Sequence, residues 1–334
     1  MADAAVWTRL LEQARWAPSP HNIQPWRVRP RSATAADLLY DPARLLPDTD
    51  PTGFFTQVGF GIFLEALDVA AAAHGLEVEV APVAWRLDAT AAGLPLLARL
   101  RLAPRTRPEP LDASLLERRR TSRLRYDGEP VDAATLEACR AIAAAAGQSW
   151  TATSDPEAVA WTLRLNRDTL FYDMADAAAR GEVGRWIRTT PAEERRHRDG
   201  LSARCLGFPG WLLRLFFRHH RLMEWPGLRQ AIRMRYDRSM RGTRTVAWLT
   251  GRFDGPADAV AAGRMLGRLW LTLTARGVGL HPFGSIITNP RAYARLRERM
   301  AGGDPQARTW LIMRLGRSAE PPRSLRREAA EVLA

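Results

Sequence analysis

Two short segments of the sequence carry side chains whose types and spacing suit ligand binding. Segment 17–26 reads Ala-Pro-Ser-Pro-His-Asn-Ile-Gln-Pro-Trp, and segment 119–123 reads Arg-Arg-Thr-Ser-Arg. Each arginine can pair with two oxygens of an anionic group, because its N–H donors form a rigid planar fork. A solvated loop is the alternative interpretation of segment 118–123. For the amides of the first segment, the alternative is turn stabilisation through side-chain hydrogen bonds.

Other site chemistries have no motif in this chain. We find no Gly-x-Gly-x-x-Gly after a strand, no P-loop, no His-Glu-x-x-His and no Gly-x-Ser-x-Gly. The two cysteines, Cys139 and Cys205, are far apart in sequence and give neither a disulfide framework nor a metal-binding spacing. The sequence therefore predicts no metal site, and Ser19 has no partners that would make it a nucleophile.

The positive charge of the chain is unusual in type and in distribution. Of 334 residues, 49 are basic and 36 acidic, and every basic residue is arginine, so the net charge of +13 does not titrate at any useful pH. Residues 185–244 contain 15 arginines and 5 acidic residues. A nucleic-acid binder concentrates charge in this way, but zinc-finger spacing, an RNP-type strand and a basic zipper are all missing. We therefore expect no nucleic-acid partner and interpret 185–244 as an insertion.

The centre of that insertion is short, apolar and interrupted by arginine. Segment 209–220 reads Pro-Gly-Trp-Leu-Leu-Arg-Leu-Phe-Phe-Arg-His-His. Three interpretations stay open: a helix that covers a pocket, a helix in a membrane interface, or an ordinary buried helix. No segment approaches the length of unbroken apolar sequence that spans a membrane, and we see no secretory signal at the N-terminus. We expect a cytoplasmic protein without integral membrane association.

The periodicity of apolar residues predicts the elements that position these segments. Helices are expected at 3–16, 56–73, 132–146 and 257–275, and strands at 26–29, 76–80, 82–87, 97–102, 151–153, 245–250 and 309–315. Gln24-Pro-Trp26 and Gln148-Ser-Trp150 each follow a helix and open a strand, which suggests a duplicated unit. The predicted fold class is α+β, with a mostly antiparallel sheet in each half.

Both segments resemble the flavin-dependent nitroreductases. That family has an Arg-Arg-Ser-x-Arg-x-aromatic start, to which 119–123 and the following Tyr126 are similar, and a Pro-Ser-x-x-Asn-x-Gln-Pro-Trp run, to which 18–26 is similar. The C-terminal segment from Arg314 to Val332, with its Arg326-Arg327 pair, looks like the family's strand and arginine pair at the flavin phosphate. The resemblance covers both ends of the chain and not its middle.

The order of the motifs differs from that of a single-domain nitroreductase. There the arginine cluster precedes the Gln-Pro-Trp run, whereas here the run comes first and each half keeps what the other lacks. The resemblance implies an Acg-type fused pseudo-dimer with a duplicated nitroreductase-type fold. Its halves would be 1–112 and 113–334, and the insertion at about 185–244 would be a lid over one composite FMN site.

The resemblance also implies which residues bind FMN. The phosphate would be bound by the arginine cluster, its hydroxyls and one arginine of the tail: Arg119, Arg120, Thr121, Ser122, Arg123, and Arg326 or Arg327. The flavin ring would be approached by polar residues of both halves: Ser19, Asn22, Gln24, Asn166, His281 and Gly284. The last two belong to segment 279–284, whose glycines and proline suggest a loop that allows close backbone approach.

The implied activity is that of an FMN-dependent oxidoreductase, with hydride transfer at flavin N5 to or from a small organic substrate. The cofactor carries the chemistry, so no catalytic side chain is expected. NAD(P)H is a possible electron donor, and the internal pseudo-dimer favours a monomer or a weak homodimer. Two alternatives remain: an FMN-sequestering protein with little turnover, and a tailoring dehydrogenase of specialised metabolism.

Overall fold

The first part of the chain folds into a four-stranded antiparallel sheet flanked by helices. In the computed structural model, which describes residues 2–300 and 306–334, its elements are α1 (Ala2–Ala14), β1 (Trp26–Pro30), β2 (Ala35–Tyr40), α2 (Phe54–Ala72), β3 (Leu76–Pro82) and β4 (Leu96–Pro104). The strands lie in the order β1-β2-β4-β3. In β4, Leu100 and Leu102 are buried while Arg99 and Arg101 face solvent, the alternation of a sheet with one face on the core.

The rest of the chain begins with two helices, a strand and a long connection. These elements are α3 (Ser114–Arg118), α4 (Ala133–Ala145), β5 (Ser149–Thr153), α5 (Pro156–Ala175), α6 (Ala177–Arg185), β6 (Ile187–Arg188), α7 (Pro191–His197), β7 (Leu201–Ser202), α8 (Ala203–Leu206), α9 (Gly210–Arg218) and α10 (Pro226–Met240). They are followed by β8 (Thr245–Gly251), α11 (Pro256–Ala275), β9 (Gly279–Pro282), α12 (Gly284–Thr288), α13 (Pro290–Arg299), β10 (Arg308–Gly316) and α14 (Ala329–Val332).

The second sheet has the same arrangement as the first. Its strands lie in the order β5-β8-β10-β9, and every neighbouring pair is antiparallel. In both sheets the first two strands are followed by a long helix and then by the last two strands. The main difference is the connection between the first two strands, which is residues 31–34 in the first sheet and 154–244 in the second. The arginine-rich segment 185–244 is thus the C-terminal part of a longer connection that begins after β5.

The two long helices α2 and α11 pack directly against each other at the centre of the molecule. A Cβ atom built on Gly61 would lie 2.0 Å from the Val260 carbonyl oxygen, and one built on Gly263 would lie 2.1 Å from that of Val58. Within the described residues, α2 alone is long and apolar enough to cross a membrane, and 94% of its apolar stretch is buried inside the protein. A buried core helix of a globular protein has the same length and apolar composition.

The sequence-based elements agree with the structure except in two places. The strand expected at 82–87 is absent: β3 ends at Pro82, and the N–H groups of Val83 and Ala84 both donate to the Leu97 carbonyl, so the chain bends there and does not continue the ladder. Segment 279–284 is not a loop: 279–282 forms β9, which pairs with β10, and α12 starts at Gly284. Its hydrogen bonds to β10 outweigh the turn preference of its glycines and proline.

Candidate functional site

Segment 19–24, between α1 and β1, has an unusual backbone. His21, Asn22 and Gln24 all have positive φ, at 44°, 56° and 49°. Side chains other than glycine rarely adopt this region, and each such residue costs about 1–3 kcal/mol that the surrounding contacts must offset. One of these contacts is local, since the Gln24 amide donates to the Ser19 hydroxyl at 2.9 Å. Such a conformation is typical of residues held in place for a function.

The side chains of this segment bind two distant parts of the chain. The Asn22 amide donates to the carbonyls of Gly200 (3.1 Å) and Leu325 (3.0 Å). The Gln24 amide nitrogen donates to the Arg198 carbonyl at 3.0 Å, and its oxygen accepts from the Arg327 N–H at 2.9 Å. Asn22 and Gln24 therefore connect the N-terminal motif to the long connection and to the C-terminal tail.

Three arginines near this segment have no acidic partner among the described residues. Arg119 is buried, lies 4.5 Å above the Trp270 ring, and donates to the Trp16 carbonyl at 3.3 Å. Arg326 is buried as well and donates only to carbonyl groups, including that of Ala17. Arg123 is partly exposed and forms no ion pair with a described residue. We call Arg119, Arg123 and Arg326 the arginine cradle.

Burial and mutual repulsion act on the charges of the cradle. Burial lowers the pKa of Arg119 to about 9, and the charge of Arg326 adds to this shift. Burial likewise lowers the pKa of Arg326 to about 10. The pKa of Arg123 is lowered by burial, while the nearby Cys205 opposes the shift. Buried cations without a counter-ion are costly, so this arrangement favours an anionic ligand.

Several buried polar atoms beside the cradle lack a hydrogen-bond partner in the described part of the chain. They include Arg119 Nη1, His21 Nδ1 and Asn22 Oδ1. Burial, with a smaller contribution from the Arg123 charge, lowers the pKa of His21 to about 4, so its ring is neutral near pH 7. Because buried polar groups are nearly always paired, these atoms indicate a ligand with both acceptors and donors.

The other predicted phosphate ligands have protein partners of their own. Arg120 forms an ion pair with Glu320 at 2.5 Å and donates to the Pro321 carbonyl at 2.6 Å. The backbone of Thr121 bridges to that of Leu280, and the Ser122 hydroxyl lies 2.7 Å from that of Ser318. These three residues hold the cradle's chain segment against β9 and the tail, and the Arg120 guanidinium is engaged by the tail.

The two tail arginines point to different surroundings. The Arg326 charge acts on Arg119, as described above, whereas Arg327 interacts with the charges of Arg44, Arg27, Glu331 and Asp41. Burial lowers the pKa of Arg327 to about 10, and its side chain donates to the Glu331 carbonyl. Of the pair, Arg326 is therefore the one that completes the cradle.

Arg314 of β10 is an important residue that the sequence interpretation did not place in the site. Its side chain is 0% exposed and lies 4.2 Å from the centre of the Tyr126 ring. It donates to the side chains of Thr243 (3.0 Å) and His281 (3.2 Å), and to the carbonyls of Ser122 (3.3 Å) and Leu124 (2.8 Å). One sequence signal was available, since this arginine interrupts an otherwise apolar buried strand.

Three predicted site residues remain: Asn166, His281 and Gly284. His281 accepts from Arg314 through Nδ1, and burial next to that charge holds its pKa well below the ordinary value. Asn166 is buried in α5 and donates to the Tyr236 hydroxyl, a group that also feels the Arg314 charge. Gly284 starts α12, and a Cβ there would meet no atom within 4 Å. His281 therefore contacts Arg314 and also lies within the electrostatic reach of Arg123 in the cradle, whereas Asn166 is linked to Arg314 through Tyr236.

Comparisons with known proteins give only distant structural similarity. No protein-family model matches the sequence, and no curated protein matches it either. A nitroreductase with bound FMN from Bacteroides fragilis is 13% identical, with 63% of this chain and 89% of that chain covered and a TM-score of 0.35. The FMN- and NADPH-dependent nitroreductase NfnB from Sphigopyxis sp. strain HMH is 19% identical, covers 66% and 97%, and has a TM-score of 0.40.

A third solved structure was determined with a nicotinamide cofactor. It is the FMN-dependent nitroreductase NfnB from Mycobacterium smegmatis in complex with NADPH, which is 17% identical, covers 66% and 96%, and has a TM-score of 0.38. Identities and TM-scores this low assign neither a family nor a function to the chain. The function must therefore be inferred from the chain's own residues.

Proposed function

We propose that this protein is an FMN-dependent oxidoreductase of the nitroreductase-like family, with the arginine cradle at the FMN phosphate. The observation that carries this proposal is that Arg119, Arg123 and Arg326 all lie beside residues 16–21 and pair with no carboxylate among the described residues. A phosphate monoester carries close to two negative charges and three acceptor oxygens, which match such a group of guanidinium donors. The unpaired Arg119 Nη1 is available for one of these oxygens.

We further propose that the chain consists of two duplicated nitroreductase-type halves, 1–112 and 113–334, that build one composite site. Three observations support this: the identical strand order of the two sheets, the long helix between their second and third strands, and the reciprocal glycine contact of α2 with α11. In this proposal segment 19–24 of the first half faces the cradle of the second. A single-domain relative would assemble the same pair of surfaces from two subunits.

FMN, when bound, supplies two-electron hydride chemistry at its ring. The residues of this chain bind and orient it: the cradle neutralises the phosphate, and Trp270 supports the Arg119 guanidinium. Near the ring we propose Ser19, Asn22 and Gln24, with His21 Nδ1 and Asn22 Oδ1 as free acceptors for N–H donors of the ligand. Arg314 would act as a positioning residue, with Asn166, His281 and Gly284 around it.

The long connection is proposed to act as the lid of the site. Its residues Arg198 and Gly200 accept hydrogen bonds from Gln24 and Asn22. The Cys205 thiol contacts the tail beside Arg326, where it donates to the Pro322 carbonyl at 3.5 Å and accepts from the Ser324 hydroxyl at 3.4 Å. The segment 198–205 therefore borders the cradle from outside and would exclude water from it. Exclusion of water strengthens each electrostatic contact made to the cofactor.

The absorption spectrum of the purified protein tests FMN binding directly. We expect a yellow protein with flavin bands, or a colourless one that takes up added FMN. Arg119→Gln combined with Arg123→Gln should weaken FMN binding at least about tenfold, since charge-assisted hydrogen bonds to a buried phosphate are lost. Arg118→Gln is the matched control, because Arg118 is the neighbouring arginine but is exposed. Equal FMN affinity of all variants would refute the cradle.

A second candidate function is FMN sequestration with little turnover, favoured by the direct hydrogen bonds between the connection and segment 19–24. Steady-state oxidation of NAD(P)H with nitroaromatic or quinone acceptors separates the two functions. Robust turnover would exclude sequestration. Reduction of the bound flavin by a substrate without nicotinamide would instead indicate a tailoring dehydrogenase. In each case we propose a cytoplasmic monomer or weak homodimer that acts on a small molecule and not on nucleic acid.

A further inference from the structure

The large exposed apolar side chains of the protein are concentrated in one segment. Of the five among the described residues, Val83 stands alone, whereas the other four fall between positions 211 and 234: Trp211, Leu222, Trp225 and Met234. Trp211 and Trp225 are 69% and 72% exposed. Exposed tryptophans are costly in water unless a partner covers them, so a cluster of this kind marks an interaction surface.

Two of these side chains, Leu222 and Trp225, line a groove in the long connection. The groove has a volume of about 640 Å³ and lies between the end of α9 and the start of α10. Leu222 and Trp225 line it together with Arg218, Arg221 and His219. Trp211 lies seven residues before Arg218 on α9, and this spacing places both on the same helix face. We use the name Trp–Arg surface for the following exposed side chains: Trp211, Arg218, Arg221, Leu222, Trp225, Met234 and Arg238.

The arginines of the Trp–Arg surface differ from other arginines of the same connection in whether they pair with a carboxylate. On the inner side Arg188 pairs with Asp199, and Arg204 pairs with Glu194. On the outer side Arg218, Arg221 and Arg238 are exposed and contact no carboxylate among the side chains that the structure describes. The positive charge of the insertion is therefore available to a partner at this surface.

Two kinds of partner carry the phosphate groups that exposed arginines bind: nucleic acids and membranes of anionic phospholipid. A nucleic acid would use the arginines and could stack on tryptophan, but it offers nothing to the aliphatic side chains of Leu222 and Met234. A membrane of anionic phospholipid offers phosphates to arginine, the headgroup region to tryptophan and acyl chains to leucine and methionine. Of these two partners, only the membrane therefore interacts favourably with the arginines, the tryptophans and the aliphatic side chains together.

We propose that the Trp–Arg surface binds reversibly to membranes that contain anionic phospholipid. Trp211 and Trp225 enter the headgroup region, and Arg218, Arg221 and Arg238 contact lipid phosphates. The connection would then have two roles: its segment 198–205 borders the cradle, and its outer helices attach the protein to a lipid surface. This inference does not depend on FMN, since none of the residues of the Trp–Arg surface belongs to the cradle or to segment 19–24.

Co-sedimentation of the full chain with lipid vesicles tests the proposal. Vesicles of phosphatidylcholine alone are compared with vesicles that also contain phosphatidylglycerol. We expect binding to the anionic vesicles only, weakened by salt. Arg218→Gln with Arg221→Gln should lower the partition coefficient about fivefold for each lost charge. Trp211→Ala with Trp225→Ala should lower it about tenfold or more, because interfacial side chains are removed.

Matched controls and other partners complete the test. Val83→Ala and Arg107→Gln remove an exposed apolar and an exposed basic residue elsewhere, and should bind vesicles like the unmodified chain. FMN content and urea midpoint should be the same in all variants, since the changed side chains are exposed. No binding to anionic vesicles, equal binding to both vesicle types, or unchanged binding of the tryptophan variant would overturn the proposal. Tighter binding to duplex DNA, insensitive to the tryptophans, would do so as well.

Discussion

Gly61 of α2 and Gly263 of α11 lie against each other's backbone where the two central helices cross. A Cβ atom on either residue would lie within 3.0 Å of the other's Cα atom, at 2.7 Å for Gly61 and 2.9 Å for Gly263. The contact is reciprocal, and it joins the two sheet-bearing parts of the chain. Any larger side chain at this crossing would force the helices apart.

The first prediction concerns this crossing. Gly61→Ala should lower the free energy of unfolding by about 1–3 kcal/mol, because the added methyl group meets backbone that cannot move aside. Gly181→Ala in the middle of α6 is the control, since no atom lies within 4 Å of its Cβ position. There alanine should stabilise by up to about 1 kcal/mol. Urea denaturation measures both, and equal effects would show that the crossing tolerates side chains.

The second prediction concerns the fully buried Arg314. Arg314→Leu removes the donor of five hydrogen bonds to acceptors from distant parts of the chain, so we expect a loss of about 3–5 kcal/mol of stability. Arg314→Lys should rescue little, because one ammonium group cannot replace a planar fork. Arg101→Gln, which breaks an exposed ion pair with Glu79, should cost at most about 1 kcal/mol. A small effect of Arg314→Leu would contradict its positioning role.

The helices and strands that were predicted from the sequence are those whose buried faces repeat with a regular period, whereas β2, α5, α12 and α13 were not predicted. The helix expected at 257–275 is α11 (Pro256–Ala275), and the strand expected at 309–315 is β10 (Arg308–Gly316). The strand predicted at 82–87 was wrong because the chain bends after Pro82, where the N–H groups of Val83 and Ala84 share the Leu97 carbonyl. Periodicity reports burial of one face, and it does not report where backbone hydrogen bonds stop.

The site was less accessible to sequence reasoning, because its contacts join residues far apart in the chain. Arg119 and Arg120 are neighbours of the same type, yet one is buried over Trp270 and the other pairs with Glu320. The role of Arg314 depends on Thr243 and His281, which only the completed fold brings to it. A motif identifies residue types, whereas the direction in which each guanidinium points depends on tertiary packing.

The third prediction concerns pH and the buried His21. Its pKa in the folded chain is lowered to about 4 from 6.5, chiefly by burial. Below pH 6.5 the unfolded chain therefore binds a proton that the folded chain does not, so stability present above pH 6.5 is lost as the pH falls toward 4. For this single group the loss is about 3 kcal/mol.

The variant His21→Asn isolates this contribution. Asparagine tolerates the positive φ of position 21 and does not titrate. The stability of the unmodified chain relative to this variant should therefore decrease by about 3 kcal/mol between pH 7 and pH 4. Asp50, whose pKa burial raises to about 6, titrates in both proteins and cancels in the comparison. If urea denaturation shows that both proteins lose the same stability as the pH falls, the pKa of His21 is not lowered in the folded chain and the prediction is contradicted.

The fourth prediction concerns Gln24, which binds the tail and the long connection at once. Gln24→Leu removes the hydrogen bonds to the Arg198 carbonyl and from the Arg327 N–H, so two buried backbone groups lose their partners. Each unpaired group costs about 1–3 kcal/mol. Because Arg326 is next to Arg327, release of the tail should also misplace the cradle and weaken FMN binding about tenfold or more.

Two measurements distinguish a local structural role of Gln24 from a role in the site. Urea denaturation gives the loss of stability, and titration of the FMN-free protein with FMN gives the affinity. Gln230→Leu is the control, because Gln230 is exposed on α10 and far in sequence from the tail. A loss of stability with unchanged FMN affinity would mean that Gln24 supports the fold alone. A loss of both, with the control unaffected, would show that the N-terminal motif places Arg326 in the cradle, which is the contact that a composite site built from both halves requires.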